Sequence, residues 1–107
     1  PLALVKILFE NPELDQVQAK DILHFSYELS QLTRKEECVG RLGINEVVII
    51  IRDGHSNAEQ FVQRLLDSTS LCVNHGLQIK VSKIYAEGDE DSLRLLERLD
   101  RAELVTQ

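Results

Sequence analysis

The chain has 107 residues, 43% hydrophobic and 28% charged, a length and composition that fit one globular domain and exclude a large multidomain enzyme. Eighteen acidic residues against twelve basic ones give a net charge of −6, which excludes long-range attraction to nucleic acid or to an anionic membrane. A domain of this size has one modest core, so any site lies near the surface or at an interface.

Leu2 to Phe9 is apolar except for Lys6 and is closed by Asn11-Pro12, the length and ending of a buried strand. From Gln16 to Lys35, Ile22, Phe25, Leu29 and Leu32 recur at three and four residues, which predicts a helix with one solvated face. Val39 to Leu42 and Val47 to Ile51 flank Gly43-Ile44-Asn45-Glu46. The second run is β-branched throughout, and Gly and Asn suit the unusual backbone angles of a tight turn, so the pair reads as a hairpin. Asp53 to Asn57 is the approach to a second helix, with Ser56 as N-cap, Glu59 at the capping-box spacing and Phe61, Leu65, Leu66 and Leu71 on its buried face. Asn74-His75-Gly76 ends it.

Leu77, Ile79, Val81 and Ile84 predict the next strand, with Gln78, Lys80 and Ser82 alternating outward. Gly88 to Asp91 is a turn into a third helix, Ser92 to about Leu104, whose buried face carries Leu93, Leu96, Leu99 and Ala102. The order is β-α-β-β-α-β-α. It predicts an α+β fold, a central antiparallel-containing sheet with helices on one or both faces, ferredoxin-like if the two outer strands lie in the middle.

Cys38 and Cys72 stand far apart with no CxxC and read as semi-buried free thiols, not as a disulfide framework or a zinc site. No pair among His24, His55 and His75 has metal-ligand spacing, and no metal or other cofactor is expected. Ser82 is too ordinary a hydroxyl to be read as a nucleophile without His and Asp partners, which the sequence does not locate, and Tyr27 and Tyr85 read as packing residues. No signal peptide and no apolar run of about 18 residues is present, so a cytoplasmic location without membrane insertion is expected. The chain begins with proline and lacks methionine, from which we expect residues 1–107 to be a single domain excised from or truncated within a longer protein.

Arg41 to Ile50 (RLGINEVVII) resembles the signature RLGGDEFVVLL of the GGDEF family, the diguanylate cyclase domains, with Gly43, Ile44, Asn45, Glu46 and Val47 at the five signature positions. Ile22, Ser26 and Leu29 fall where that family's preceding helix carries Leu, Ala and Leu. Leu77 to Ile84 resembles its strand ending in VSIG, and Leu95 to Leu104 resembles its closing LLxRADxALY. The resemblance covers nearly the whole chain and implies a GGDEF-like fold.

The family's reaction joins two GTP molecules into cyclic di-GMP, a phosphoryl transfer that needs a divalent metal held by carboxylates. The resemblance puts one such carboxylate at the third signature position, here the uncharged Asn45, and another at the end of the first strand, which has no Asp or Glu between Leu2 and Phe9. Ile44 puts a β-branched side chain where the family needs glycine beside the nucleotide. Around Glu10 to Gln18 the chain is shorter than the family, and Ala19 falls where a guanine-recognising aspartate would be. Glu46 is retained alone. We therefore expect a degenerate, catalytically inactive domain.

Many members also bind their product at an RxxD motif placed five residues before the signature. Here Arg34-Lys35-Glu36-Glu37 stands at that register. Arg34 would give paired hydrogen bonds to a guanine edge or a phosphate, and Glu37 would accept from guanine N–H groups. The same four residues also read as a solvated helix end. The expected function is thus an inactive regulatory or protein-interaction domain in bacterial cyclic di-GMP-linked signalling, its partner a protein, an adjacent domain or a second copy in a homodimer. Two alternatives stay open: a cyclic di-GMP receptor using Arg34 and Glu37, and a structural α+β domain of unrelated function.

Overall fold

The fold is seen in a computed structural model that describes residues 2–13, 17–35, 37–52, 54–68 and 76–106. Among the described residues, strands β1 (Leu2–Glu10), β2 (Glu37–Gly43), β3 (Glu46–Arg52), β4 (Gln78–Tyr85) and β5 (Val105–Thr106) and helices α1 (Ala19–Leu32), α2 (Gly54–Asp67) and α3 (Ser92–Arg101) follow in the order β1-α1-β2-β3-α2-β4-α3-β5. They form one sheet of order β2-β3-β1-β4-β5, in which every neighbouring pair is antiparallel. This is an α+β fold with an open antiparallel sheet flanked by helices.

β1 lies in the middle because it is apolar on both faces. Ala3, Val5, Ile7 and Phe9 join Val47, Ile49, Ile51, Ile79 and Val81 beneath α1 and α2, where Phe25, Leu29, Ala58, Phe61 and Leu65 close the main core. The Phe9 and Phe25 rings stack with centroids 4.0 Å apart. On the other face Leu4, Val48 and Ile84 meet Leu95 and Leu99 of α3 in a smaller cluster. Successive side chains of a strand point to opposite faces, so two covered faces demand the near-continuous apolar runs of β1 and β3.

Several sequence expectations are corrected. α1 ends at Leu32, short of Lys35, and Thr33 closes it by donating its N–H to the Leu29 carbonyl at 3.0 Å. Ser56 lies inside α2, which begins at Gly54, and so is not its N-cap. Ser82 is buried, because it shares with Ile84 the sheet face that α3 covers. α3 stops at Arg101 and the chain then adds β5, a strand absent from the expected order. Its buried face carries Leu95 and Leu99, whereas Leu93 is 67% exposed and Leu96 is also exposed.

Leu95, Leu99 and Ala102 pack on the sheet, and polar contacts accompany this roll of α3. Asp91 caps it by accepting from the Arg94 N–H at 2.8 Å, and Arg98 donates to the Tyr85 carbonyl at 3.2 Å and pairs with Glu90. Cys38 is free and exposed, where a semi-buried thiol was expected. Cys72, Leu71, Asn74 and His75, together with Asp53, Glu36 and the side chain of His55, lie outside the described residues. Among the described residues, no helix is long and apolar enough to cross a membrane.

Candidate functional site

The signature residues sit at the end of the β2–β3 hairpin, as its strand pattern predicts. Gly43 faces Glu46, with an irregularity in register between Arg41 and Gly43, and Ile44 and Asn45 form the turn. Gly43 does not have the positive φ expected of a turn glycine; that backbone belongs to Gly76 and Gly88. The tip is held by Arg41, whose guanidinium donates to the Gly43 carbonyl at 3.2 Å and to the Ile44 carbonyl at 3.1 Å. Ile44 itself projects into solvent, 69% exposed.

The two polar signature side chains turn back onto the sheet. Asn45 donates its Nδ2 hydrogen to the Phe9 carbonyl at 3.0 Å, and the Phe9 N–H donates to the Asn45 carbonyl at 3.0 Å. Glu46 forms an ion pair with Lys6 at 3.3 Å, and Lys6, with a side chain only 12% exposed, also pairs with Asp100 at 3.3 Å. Val47 is part of the main core. β1 extends one residue beyond the expected Phe9, so its last residue is an acid, Glu10, which pairs with Lys80 at 2.8 Å. Among the described residues, no group of three or more His, Cys, Asp or Glu side chains is placed to hold a metal ion.

Arg34 and Glu37 lie together at the other end of β2. The Arg34 N–H donates to Glu37 Oε1 at 2.6 Å, and the Glu37 N–H donates to the Arg34 carbonyl at 3.0 Å, which fixes the turn between α1 and β2. The Glu37 side chain is 5% exposed and receives one Arg64 nitrogen at 2.9 and 3.0 Å on its two oxygens. That same nitrogen donates to the Leu32 carbonyl at 3.2 Å, and the guanidinium lies 5.2 Å from the Phe61 ring centre. Glu37 is thus tied to Arg64, while Arg34 keeps an exposed side chain.

Beside this pair opens a cleft of about 650 Å³ lined by Arg34, Lys35, Arg52 and Arg64 with Asn57 and Gln60. Arg64 and Glu37 offset each other, which leaves Arg34, Lys35 and Arg52 as a positive excess among the described residues of the cleft; Glu36 and Asp53, beside them in sequence, lie outside the described residues. Guanidinium forks and side-chain amides are suited to a phosphate or carboxylate. Arg52 and Arg64 escaped the sequence reading. Arg64 lies 27 residues from Glu37, and the only local signal was its position on α2 between Phe61 and Leu65, at the margin of a buried face.

The other residues weighed from sequence stand apart from this cleft. Ser82 is paired across the sheet with Lys6, and its buried hydroxyl has no hydrogen-bond partner among the described residues. Tyr27 is exposed on α1, and Tyr85 is half-buried at the end of β4. His24 is half-buried on α1. No protein-family model matches the chain, and no curated protein matches it significantly.

Proposed function

We propose that this chain is a catalytically inactive, GGDEF-like regulatory or protein-interaction domain of bacterial cyclic di-GMP-linked signalling, working in the cytoplasm. The observation that carries this reading is the Asn45–Phe9 contact. At the position where the resemblance puts a metal-holding carboxylate, this chain has an uncharged amide whose Nδ2 donates to the main chain, so the position lacks the negative charge with which a carboxylate holds a divalent ion. Glu46 is likewise engaged by Lys6. The sheet order β2-β3-β1-β4-β5, with β1 central between β3 and β4, is compatible with a ferredoxin-like and GGDEF-like layout. A fold that keeps its core and gives its signature side chains to internal contacts persists through the surface it presents.

The test is incubation with GTP and magnesium or manganese followed by chromatography. No cyclic di-GMP above background is expected. Metal-dependent turnover that Glu46→Ala abolishes would overturn the reading.

A second reading, a cyclic di-GMP receptor, is favoured by one observation: Arg34 lines a cationic cleft at the register of the family's product-binding motif. Glu37 would then act by holding Arg64, since its oxygens already accept from Arg64 and from the Arg34 N–H. Calorimetry separates the two readings. A micromolar or tighter constant lost in Arg34→Ala selects the receptor, and no heat at about 100 μM ligand, far above a micromolar constant, leaves the interaction domain ahead.

A further inference from the structure

β2 pairs with β3 on one side only and is an edge of the sheet. Edges usually carry lysine, proline or a bulge that prevents another strand from adding. β2 (ECVGRLG) has no lysine and no proline. Its arginine, Arg41, folds back onto the Gly43 and Ile44 carbonyls, and its register irregularity lies at the hairpin end, between Arg41 and Gly43. The Glu37 N–H donates to the Arg34 carbonyl, which leaves the stretch from Cys38 to Gly40 without a lysine, proline or bulge. The opposite edge, β5, is only two residues long.

Two depressions follow each other along β2 on the face that carries α1 and α2. The cationic cleft adjoins Glu37. A groove of about 290 Å³ between β2 and α1 adjoins Val39 and Arg41 and is floored by Phe9, Phe25, Leu29 and Val47, and Val39 is 52% exposed beside it. Residues 37, 39 and 41 share one face and are spaced about 7 Å apart along the strand, and the two depressions adjoin successive members of this row. A strand added to this edge would present its own alternate side chains at the same repeat.

Charge selects the kind of strand. Arg34, Lys35 and Arg52 stand at one end of β2 and Arg41 stands toward the other, while the acid of β2, Glu37, is matched by Arg64. Glu36 and Asp53, next to the cleft in sequence, lie outside the described residues. A second copy carries the same net −6 and the same basic edge, so like charges would meet there.

We propose that β2 receives an extended acidic peptide of a partner protein as an added edge strand. An acidic side chain would enter the cationic cleft, and an apolar one two residues away would enter the groove. Main-chain hydrogen bonds supply affinity in such complexes and the side-chain pockets supply selectivity. The proposal rests on the interaction-domain reading above and names that partner's chemistry.

The probe is a capped fluorescent heptapeptide whose odd positions alternate aspartate and valine, with threonine between. Saturable binding is expected by anisotropy, with amide shifts along β2. It should weaken about tenfold in Arg52→Glu, whose fold is checked by circular dichroism, and about tenfold in the peptide with lysine for aspartate. Two peptides N-methylated at alternate residues in opposite phases discriminate strand addition from general charge attraction: one should lose binding and the other keep it. Equal binding by both, or shifts confined to other elements, would overturn the proposal. So would a dimer of the protein alone with concentration-dependent shifts along β2, which would assign the edge to a second copy. No peptide binding together with no GTP turnover removes this proposal and leaves the inactive-domain reading standing; GTP turnover together with phase-sensitive peptide binding does the reverse.

Discussion

Asn45 and Phe9 satisfy each other twice: the Asn45 side-chain amide donates to the Phe9 carbonyl, and the Phe9 N–H donates to the Asn45 carbonyl, both at 3.0 Å. The hairpin tip is thereby fastened to the end of the central strand, 36 residues away in sequence. One of these bonds needs a side-chain hydrogen that a carboxylate does not have.

Replacing Asn45 tests the fastening. Asn45→Ala should lower unfolding free energy by about 1–2 kcal/mol, the cost of leaving a half-buried carbonyl without its donor. Asn45→Asp should cost at least as much at neutral pH, since an ionised carboxylate only accepts and would face the Phe9 carbonyl. Urea titrations of the three proteins give the comparison, and an Asp variant as stable as the parent would show that the amide does not hold the tip.

The Glu37–Arg64 pair predicts a coupled loss. Glu37 is nearly buried and Arg64 partly so, and removing either partner leaves the other without its counter-charge. Arg64→Ala and Glu37→Gln should each destabilise by about 2 kcal/mol, below the cost of breaking a fully buried pair because Arg64 reaches solvent. In a double-mutant cycle the two should cost less together than their sum. Additive losses would mean the pair contributes nothing beyond its separate contacts. Arg34→Ala, at an exposed side chain, should leave stability within about 0.5 kcal/mol.

Three glycines should respond differently to alanine. At Gly43 a Cβ would meet only the Glu46 Cβ, at 3.8 Å, so Gly43→Ala should stay within about 0.5 kcal/mol of the parent. At Gly40 a Cβ would lie 3.2 Å from a Val48 methyl, so Gly40→Ala should be the less stable of the two β2 variants. Gly88 has φ near +49° with open space around it; Gly88→Ala should cost about 1 kcal/mol through backbone strain alone. Thermal melts rank the three.

The face of α3 is tested by two leucines. Leu99 is fully buried in the smaller cluster, and Leu99→Ala should cost about 3 kcal/mol through lost transfer energy and the cavity left behind. Leu93→Ala should change stability by no more than about 0.5 kcal/mol. The reverse ranking in denaturant unfolding would restore the face read from periodicity.

What the sequence by itself determined is whatever depends on neighbours along the chain. The apolar run of Leu2 to Phe9 reads as a buried strand, and the β-branched run of Val47 to Ile51 as the second strand of a hairpin. The spacing of Phe25 and Leu29, and of Phe61 and Leu65, marks the faces that α1 and α2 bury, because helix and strand periods are local geometry. The hairpin was legible in the same way. Tertiary structure decided the rest, since it depends on residues that meet only after folding. Ser82 is an outward position by alternation and becomes buried when α3 covers that face. Leu93 and Leu95 are equivalent by composition, and docking on Leu4, Val48 and Ile84, with Arg98 bonded to Tyr85 and Glu90, turns Leu95 inward. Glu37 reads as a surface acid until Arg64 arrives from α2, and Arg52 joins Arg34 only because β3 brings its end beside the start of β2. Periodicity encodes which sides of an element can be apolar; contacts between residues distant in sequence select among them and gather the cations.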